Sequence, residues 1–272
     1  MADPRRAAVL GSPVAHSLSP VLHSAGYRAL GLTQWSYAAH EVRESELAGW
    51  VGALDGSWRG LSLTMPLKEV ASTVATTTTE TARVTGAVNT LVRRGDGGWD
   101  AHNTDVRGIE AALAAVEHGG STTVLGGGAT ARSAVIALGG LGVERIRLAV
   151  RGEPRPETLR VAVHAGIAVE VVPLASWGRG HRGGLVVSTL PPAASESAAL
   201  AMGHHSRPGT LMDVVYADWP TPLARAAAAV GMEVVSGLDM LVYQAAEQFR
   251  LFTGEQAPVQ AMYAAGRQAL GR

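Results

Sequence analysis

An α/β fold built on two open sheets is what this sequence predicts, from three observations. Short apolar runs alternate with helical stretches, the alternation becomes regular from Thr122 onward, and three glycines, Gly126, Gly127 and Gly128, stand between a strand pattern and a helix pattern. Alternation of this kind lays helices over a largely parallel sheet, and a glycine-rich strand-to-helix turn lets the backbone approach an anion.

Along the first hundred residues, 7–10 read as a strand, and Ser19-Pro20 opens a helix to about residue 30. Ser19 is expected at the N-cap and Pro20 at the first helical position. Residues 36–42 and 60–63 read as further strands, with 44–54 as the helix between them. In the TTTTE run at 76–80, Thr77 and Glu80 have the spacing of a capping box and predict a helix start. The second half is a doubly wound pattern: strands at 122–125, 145–150, 168–172, 185–188, 211–214 and 233–235, with helices at 130–141 and from Pro156. An alanine-rich helix starts within 219–230, and helices at 238–252 and 258–270 close the chain. The expected domains are 1–104, a Rossmann-type unit at 105–237, and C-terminal helices at 238–272 returning to the first domain.

The length of 272 residues suits two modest domains. Lys+Arg and Asp+Glu are both 23, so no net field draws the chain to nucleic acid or an anionic membrane, and a small-molecule partner is expected. The absence of cysteine excludes a disulfide framework, a thiolate metal site and a cysteine nucleophile. The apolar run at 7–10 is too short for a signal-peptide core or a membrane span, so a soluble, cytoplasmic protein is expected.

Lys68 is the only lysine among the 23 basic residues, and asparagine occurs only at Asn89 and Asn103. Arginine substitutes for lysine as a surface charge but does not give up its proton at ordinary pH. A sole surviving lysine therefore points to proton chemistry, the alternative being a leftover on a solvated face. Other constellations fail. Thr64 stands four before the only lysine, which rules out a Tyr-x-x-x-Lys dyad, and no GxSxG elbow or HExxH zinc pair occurs. The nine histidines lack paired ligand spacing, so no metal is expected; His16, His23 and His102 lie near the motifs, while His204 and His205 would diverge on a helix and be exposed.

Six strings, SLSP at 17–20, SLTMPLK at 62–68, GAVNT at 86–90, HNTD at 102–105, VLGGGATARSAV at 124–135 and GLDMLVYQAAEQF at 237–249, together resemble the shikimate dehydrogenase family over nearly the whole chain. That resemblance implies reversible hydride transfer between NADP(H) and shikimate or 3-dehydroshikimate in a cleft between the domains, in a monomer or homodimer. It implies that Ser17 and Ser19 bind the substrate carboxylate, and that Thr64, Asn89, Asp105 and Gln244 bind ring hydroxyls, with Tyr216 also touching substrate. Lys68 and Asp105 would be catalytic, with acid/base and purely electrostatic roles for Lys68 both open. On the cofactor side it implies Gly126, Gly127, Gly128, Ala129, Thr130, Arg151, Thr189, Val214, Gly237 and Met240.

An arginine after the second strand favours the 2′-phosphate of NADP, while Glu153 two residues on keeps NAD as the less favoured alternative. Three departures from the family pattern stand out: Ser62 in place of asparagine, Val150-Arg151-Gly152 in place of Asn-Arg-Thr, and Ala101-His102 before NTD. The rivals are an NAD-preferring quinate/shikimate dehydrogenase and a non-catalytic NADP-binding sensor.

Overall fold

The computed structural model describes residues 3–117, 120–179, 181, 183–202 and 209–271; the pair His204-His205 lies outside them. In chain order the elements are β1 (Arg5–Gly11), α1 (Ser19–Ala29), β2 (Trp35–Glu41), α2 (Leu47–Gly52), β3 (Trp58–Leu63), β4 (Thr77–Thr78), α3 (Glu80–Thr85), β5 (Thr90–Arg93), β6 (Trp99–His102) and α4 (Asp105–Leu113). There follow β7 (Ser121–Leu125), α5 (Ala129–Gly140), β8 (Arg145–Val150), α6 (Pro156–His164), β9 (Ala168–Pro173), β10 (Gly184–Ser188), α7 (Ser195–Met202), β11 (Gly209–Asp213), α8 (Pro222–Ala229), β12 (Glu233–Ser236), α9 (Gly237–Thr253) and α10 (Val259–Ala269). The chain divides into two compact units, Met1–Gly108 with Val242–Arg272, and Ile109–Leu241. The mixed α/β class with two open sheets is the one the sequence predicts.

The first unit holds a sheet of order β2-β1-β3-β5-β6-β4. β1 pairs in parallel with β2 and β3, whereas β3, β5 and β6 run antiparallel to one another. Both faces are covered, so alternate residues of one strand enter different cores. Ala8 and Leu10 join Leu61, Leu63, Leu67 and Leu91 on one face, while Ala7 and Val9 join Tyr27, Trp35, Tyr37, Phe249 and Phe252 on the other. The same alternation turns Gly60 and Ser62 of β3 toward α9. A Cβ at Gly60 would collide with the Phe252 ring, so glycine there lets helix and sheet close up.

His23 of α1 lies inside the aromatic layer, stacked on Tyr37 at 4.1 Å between ring centres. Burial lowers its pKa from 6.5 to about 3, partly opposed by Gln248. The unfolded chain therefore protonates His23 at its ordinary value and the folded chain only far lower, so stability falls as pH drops through that window. Denaturation of wild type and His23→Phe from pH 6.5 downward is expected to show a shallower loss in the variant, by about 1.4 kcal/mol per pH unit. Equal slopes would refute this assignment.

The second unit holds an all-parallel sheet of order β12-β11-β10-β7-β8-β9, the doubly wound arrangement. Its core gathers Leu125, Ala149, Val186, Leu211, Trp177 and Leu223, among others.

Four local expectations are corrected. Ser19 is the first residue of α1, with Leu18 at the N-cap and Pro20 one position further in; the Ser17 hydroxyl accepts the Ser19 amide, taking over the capping task from just outside the helix. Thr77 belongs to β4 and bonds the Asp100 carboxylate, so the next helix starts after Thr79 and no capping box forms. The helix expected at 44–54 is a 3-10 turn at Glu44–Glu46 followed by the shorter α2, because Arg43 and Glu46 close a local box of their own. The hairpin β5–β6 and helices α4 and α7 were not anticipated.

Candidate active site

The polar groups of the first unit converge at the end of β3. After Thr64 the chain turns tightly: the Leu67 amide donates to the Thr64 carbonyl (2.8 Å), and Leu67 is fully buried in the core, which anchors the turn. Lys68 follows, half-buried, its carbonyl accepting from the Val88 amide (2.7 Å). Asp105 opens α4, where the Asn103 side chain accepts from the amides of Asp105 (3.0 Å) and Val106 (3.4 Å). Asn103 is thus the cap of that helix, tied to Thr85 and the Ala87 carbonyl by its own amide.

These placements bring Lys68 Nζ to 2.6 Å from Asp105 Oδ2, and Asn89 Nδ2 donates to Asp105 Oδ1 at 2.8 Å. Both carboxylate oxygens are engaged by donors. The side chains are 17% and 4% exposed, so water screens the pair little and its Coulombic coupling exceeds that of a surface ion pair. Asn89 also donates to Gln244 Oε1 (3.2 Å) and Thr104 Oγ1 (3.0 Å). Gln244 reaches this point because α9 presents residues four apart, Gln244 and Gln248, on one face. Ser17 and Thr64 are half-buried and Ser19 is buried. Lys68, Asn89, Asp105 and Gln244 are therefore brought into one cluster of this unit.

In the second unit β7 runs into Gly126, whose φ of +104° is one that side chains rarely adopt. The Gly126 amide donates to the Ala149 carbonyl, and Thr189 donates through both its amide and its hydroxyl to the Leu125 carbonyl, each at 2.9 Å. A Cβ at Gly126 would lie 2.6 Å from the Thr189 hydroxyl, so glycine and threonine lock the turn together. Gly128 caps α5 with no side chain, and a Cβ there would meet nothing within 4 Å. An open space at a bare helix N-terminus with Ala129 and Thr130 in its first turn fits a pyrophosphate. Ala131 is fully buried where a third glycine would stand, and its small side chain permits the same close packing.

Arg151 and Glu153 are exposed just after β8, and the Thr158 hydroxyl of α6 donates to the Gly127 carbonyl (2.9 Å), tying that helix to the glycine turn. Val214 is half-buried, its amide on the Ser188 carbonyl (3.1 Å); Tyr216 is half-buried and Met240 buried. A Cβ at Gly237 would press on the Val214 carbonyl, so this glycine serves a close backbone approach. Among the described residues no group of three His, Asp or Glu is placed to hold a metal, and no helix is long and apolar enough to cross a membrane.

Sequence reasoning missed Thr104, whose amide donates to Asn89 Oδ1 (2.8 Å), and Gln248, which is bonded to the Asn89 carbonyl (3.2 Å) and Thr90. The only signals were the position of Thr104 beside an expected site residue and the four-residue spacing from Gln244 to Gln248.

A doubly wound unit with a glycine turn fitted to pyrophosphate, and an α/β unit presenting a half-buried lysine on a buried aspartate, define the class of dinucleotide-dependent dehydrogenases. The shikimate dehydrogenase substrate binding domain matches residues 9–91, and the shikimate 5'-dehydrogenase C-terminal domain matches 237–265. Shikimate dehydrogenase (NADP(+)) of Synechococcus sp. (strain JA-3-3Ab) is 34% identical, over 97% of this chain and 94% of its own length. Mycobacterium tuberculosis shikimate dehydrogenase superposes with a TM-score of 0.87 at 40% identity, covering 97% of this chain and 100% of that one. Shikimate 5-dehydrogenase from Thermus thermophilus, in complex with NADP(H) and shikimate, gives a TM-score of 0.83 at 35% identity, covering 98% of this chain and 100% of that one. The chain belongs to the shikimate dehydrogenase family.

Proposed function

We propose that this chain is an NADP-dependent oxidoreductase that interconverts shikimate and 3-dehydroshikimate, a step of chorismate and aromatic amino acid biosynthesis. The observation that carries the reading is the Lys68–Asp105 contact of 2.6 Å, with Asn89 on the second carboxylate oxygen, in the unit that matches the family's substrate binding domain. Met1–Gly108 with Val242–Arg272 would bind substrate and Ile109–Leu241 NADP; these two compact units support the expected division at 104/105 and 237/238 to within four residues.

In this reading the hydroxyls of Ser17 and Ser19, beside the start of α1, take the substrate carboxylate, since unpaired helix amides favour an anion. Thr64, Asn89, Asp105 and Gln244 take ring hydroxyls, and Tyr216 is a further substrate contact. During oxidation Lys68 Nζ, as the neutral amine with its own proton already released to solvent, takes the proton of the reacting hydroxyl as a hydride leaves the same carbon; in reduction the ammonium returns that proton to the developing alkoxide. Asp105 holds the lysine in place by accepting a hydrogen bond from its Nζ. NADP, when bound, supplies the acceptor for the hydride. Gly126, Gly127, Gly128, Ala129 and Thr130 would hold its pyrophosphate, Arg151 its 2′-phosphate, and Thr189, Val214, Gly237 and Met240 would line the path toward its nicotinamide. A cytoplasmic monomer or homodimer completes the reading, the assembly being testable by sedimentation.

Initial rates with shikimate or quinate, each paired with NADP or NAD, test it. The fastest turnover is expected with shikimate and NADP; a preference for quinate or for NAD would overturn the assignment. Arg151→Ala is expected to raise the KM for NADP roughly 10–100-fold, the worth of a charge-assisted phosphate contact, with little change in the KM for NAD. Equal changes for the two cofactors would remove Arg151 from the 2′-phosphate site.

A further inference from the structure

Ser62 departs from the family pattern, and its surroundings show what the serine does. Its hydroxyl accepts from the Tyr37 phenol (2.6 Å) and donates to Gln248 Oε1 (2.7 Å). With its oxygen held this way, Gln248 turns its amide nitrogen to Thr90 Oγ1 (2.9 Å) and to the Asn89 carbonyl (3.2 Å). The Thr90 hydroxyl then joins the Thr104 amide in donating to Asn89 Oδ1 (2.8 Å each), which leaves Asn89 Nδ2 to donate to Asp105 Oδ1 (2.8 Å). Every donor from Tyr37 onward points the same way along the chain, and the chain ends on the carboxylate that pairs with Lys68. Tyr37, Ser62, Thr90, Asn89 and Gln248 are all buried, so water does not compete for these bonds.

An amide side chain has two orientations of nearly equal shape, and only its partners select one. Were Asn89 reversed, its oxygen would face the Asp105 carboxylate at hydrogen-bond distance, a repulsive contact with no proton between the two. Bonds aligned in series in a dry interior also polarise one another. We propose that Ser62, Gln248 and Thr90 are positioning residues that fix the Asn89 amide with its nitrogen on Asp105, and so set the Lys68–Asp105 pair from inside the core. This deepens the proposed function and rests on it. In this relay Ser62 and Gln248 lie 186 residues apart in sequence.

The scarcity of asparagine supplies a probe that does not depend on turnover. Selective ¹⁵N-asparagine labelling of the full chain gives side-chain amide signals from Asn89 and Asn103 alone. Asn103, engaged with Thr85 and Ala87, serves as the internal reference. Ser62→Ala touches neither Asn89 nor Asp105, and Thr90→Val removes a hydroxyl while keeping the shape. Both are expected to move the Asn89 signals and leave those of Asn103 in place. Thr90→Val and Gln248→Met are expected to lower kcat for shikimate oxidation roughly 10–100-fold, the usual scale for disturbing the support of a reacting group. The KM for NADP should stay within error, and Thr90→Ser should restore both the signals and the rate. Unchanged Asn89 signals and unchanged kcat in folded Ser62→Ala and Thr90→Val would overturn the proposal, as would loss of rate in Thr90→Ser equal to that in Thr90→Val. A wild-type protein without shikimate turnover sinks the functional reading instead, and the amide signals then decide on the relay alone.

Discussion

Replacing Lys68 with alanine is expected to lower kcat for shikimate oxidation by roughly 10³-fold, the middle of the range for removing a positioned acid/base group. Fold and NADP binding should survive. Lys68 keeps 17% of its side chain exposed and its removal strands no apolar core atom, while Asp105 retains the Asn89 amide at 2.8 Å and its place at the start of α4, where the helix dipole favours a carboxylate. The loss of activity should therefore fall on kcat, with the KM for NADP little changed, while the thermal midpoint drops because the Asp105 carboxylate loses a weakly screened cation. A small primary amine added to the variant should recover part of the rate, because it supplies the missing proton carrier in the vacated space. Turnover near the wild-type level would remove Lys68 from the chemistry.

Gly237→Ala is expected to produce the largest stability loss among the site substitutions. The added Cβ would meet the Val214 carbonyl oxygen and carbon, both backbone atoms of the neighbouring strand end, which cannot rotate away as a side chain could. The start of α9 is held as well: the Leu238 amide donates to the Ser236 hydroxyl and the Ser236 amide to the Asp239 carboxylate, each at 3.2 Å. Neither side can yield cheaply, and a cost of about 3 kcal/mol or more follows from such overpacking. Thermal or urea unfolding reads this directly. A midpoint equal to wild type would mean that the helix start slides freely, contrary to so close a backbone approach.

The doubly wound unit was legible because its parallel strands are covered on both faces. Each of β7, β8, β10 and β11 carries a short apolar stretch, VL, LAV, LVV and LM, recurring at regular intervals between helix patterns, and the glycines between β7 and α5 mark the turn. The hairpin β5–β6 was not legible: TLVR and WDAH carry too few apolar residues for an alternation to stand out, and the GDGG turn between them was the overlooked signal. At Ser19 and Thr77 a residue with good capping chemistry does not cap: the Ser17 hydroxyl takes the Ser19 amide, and the bond to Asp100 holds Thr77 in β4, which leaves Thr79 at the helix start.

In the site, Lys68, Asn89 and Asp105 stood out through rarity and motif company. Thr90 and Gln248 did not, since a hydroxyl or amide on a core-facing position reads as an ordinary polar residue until the fold reveals its partner. Gln248 meets Ser62 across 186 residues of sequence, and no local pattern encodes that contact. The departure at Ser62 was visible, but its meaning lay in Tyr37 and α9. The aromatic layer shows the same effect: His23, placed near the site by its neighbours in sequence, is a buried neutral ring stacked on Tyr37.

The most direct measurement is the initial rate of NADP reduction on adding shikimate to the purified wild-type chain and to Lys68→Ala in parallel. Rapid reduction by the wild type, saturating in both substrates and nearly abolished in the variant, is the expected result. No reduction by the wild type, or equal rates from the two proteins, would contradict a shikimate-oxidising site built on Lys68 and Asp105.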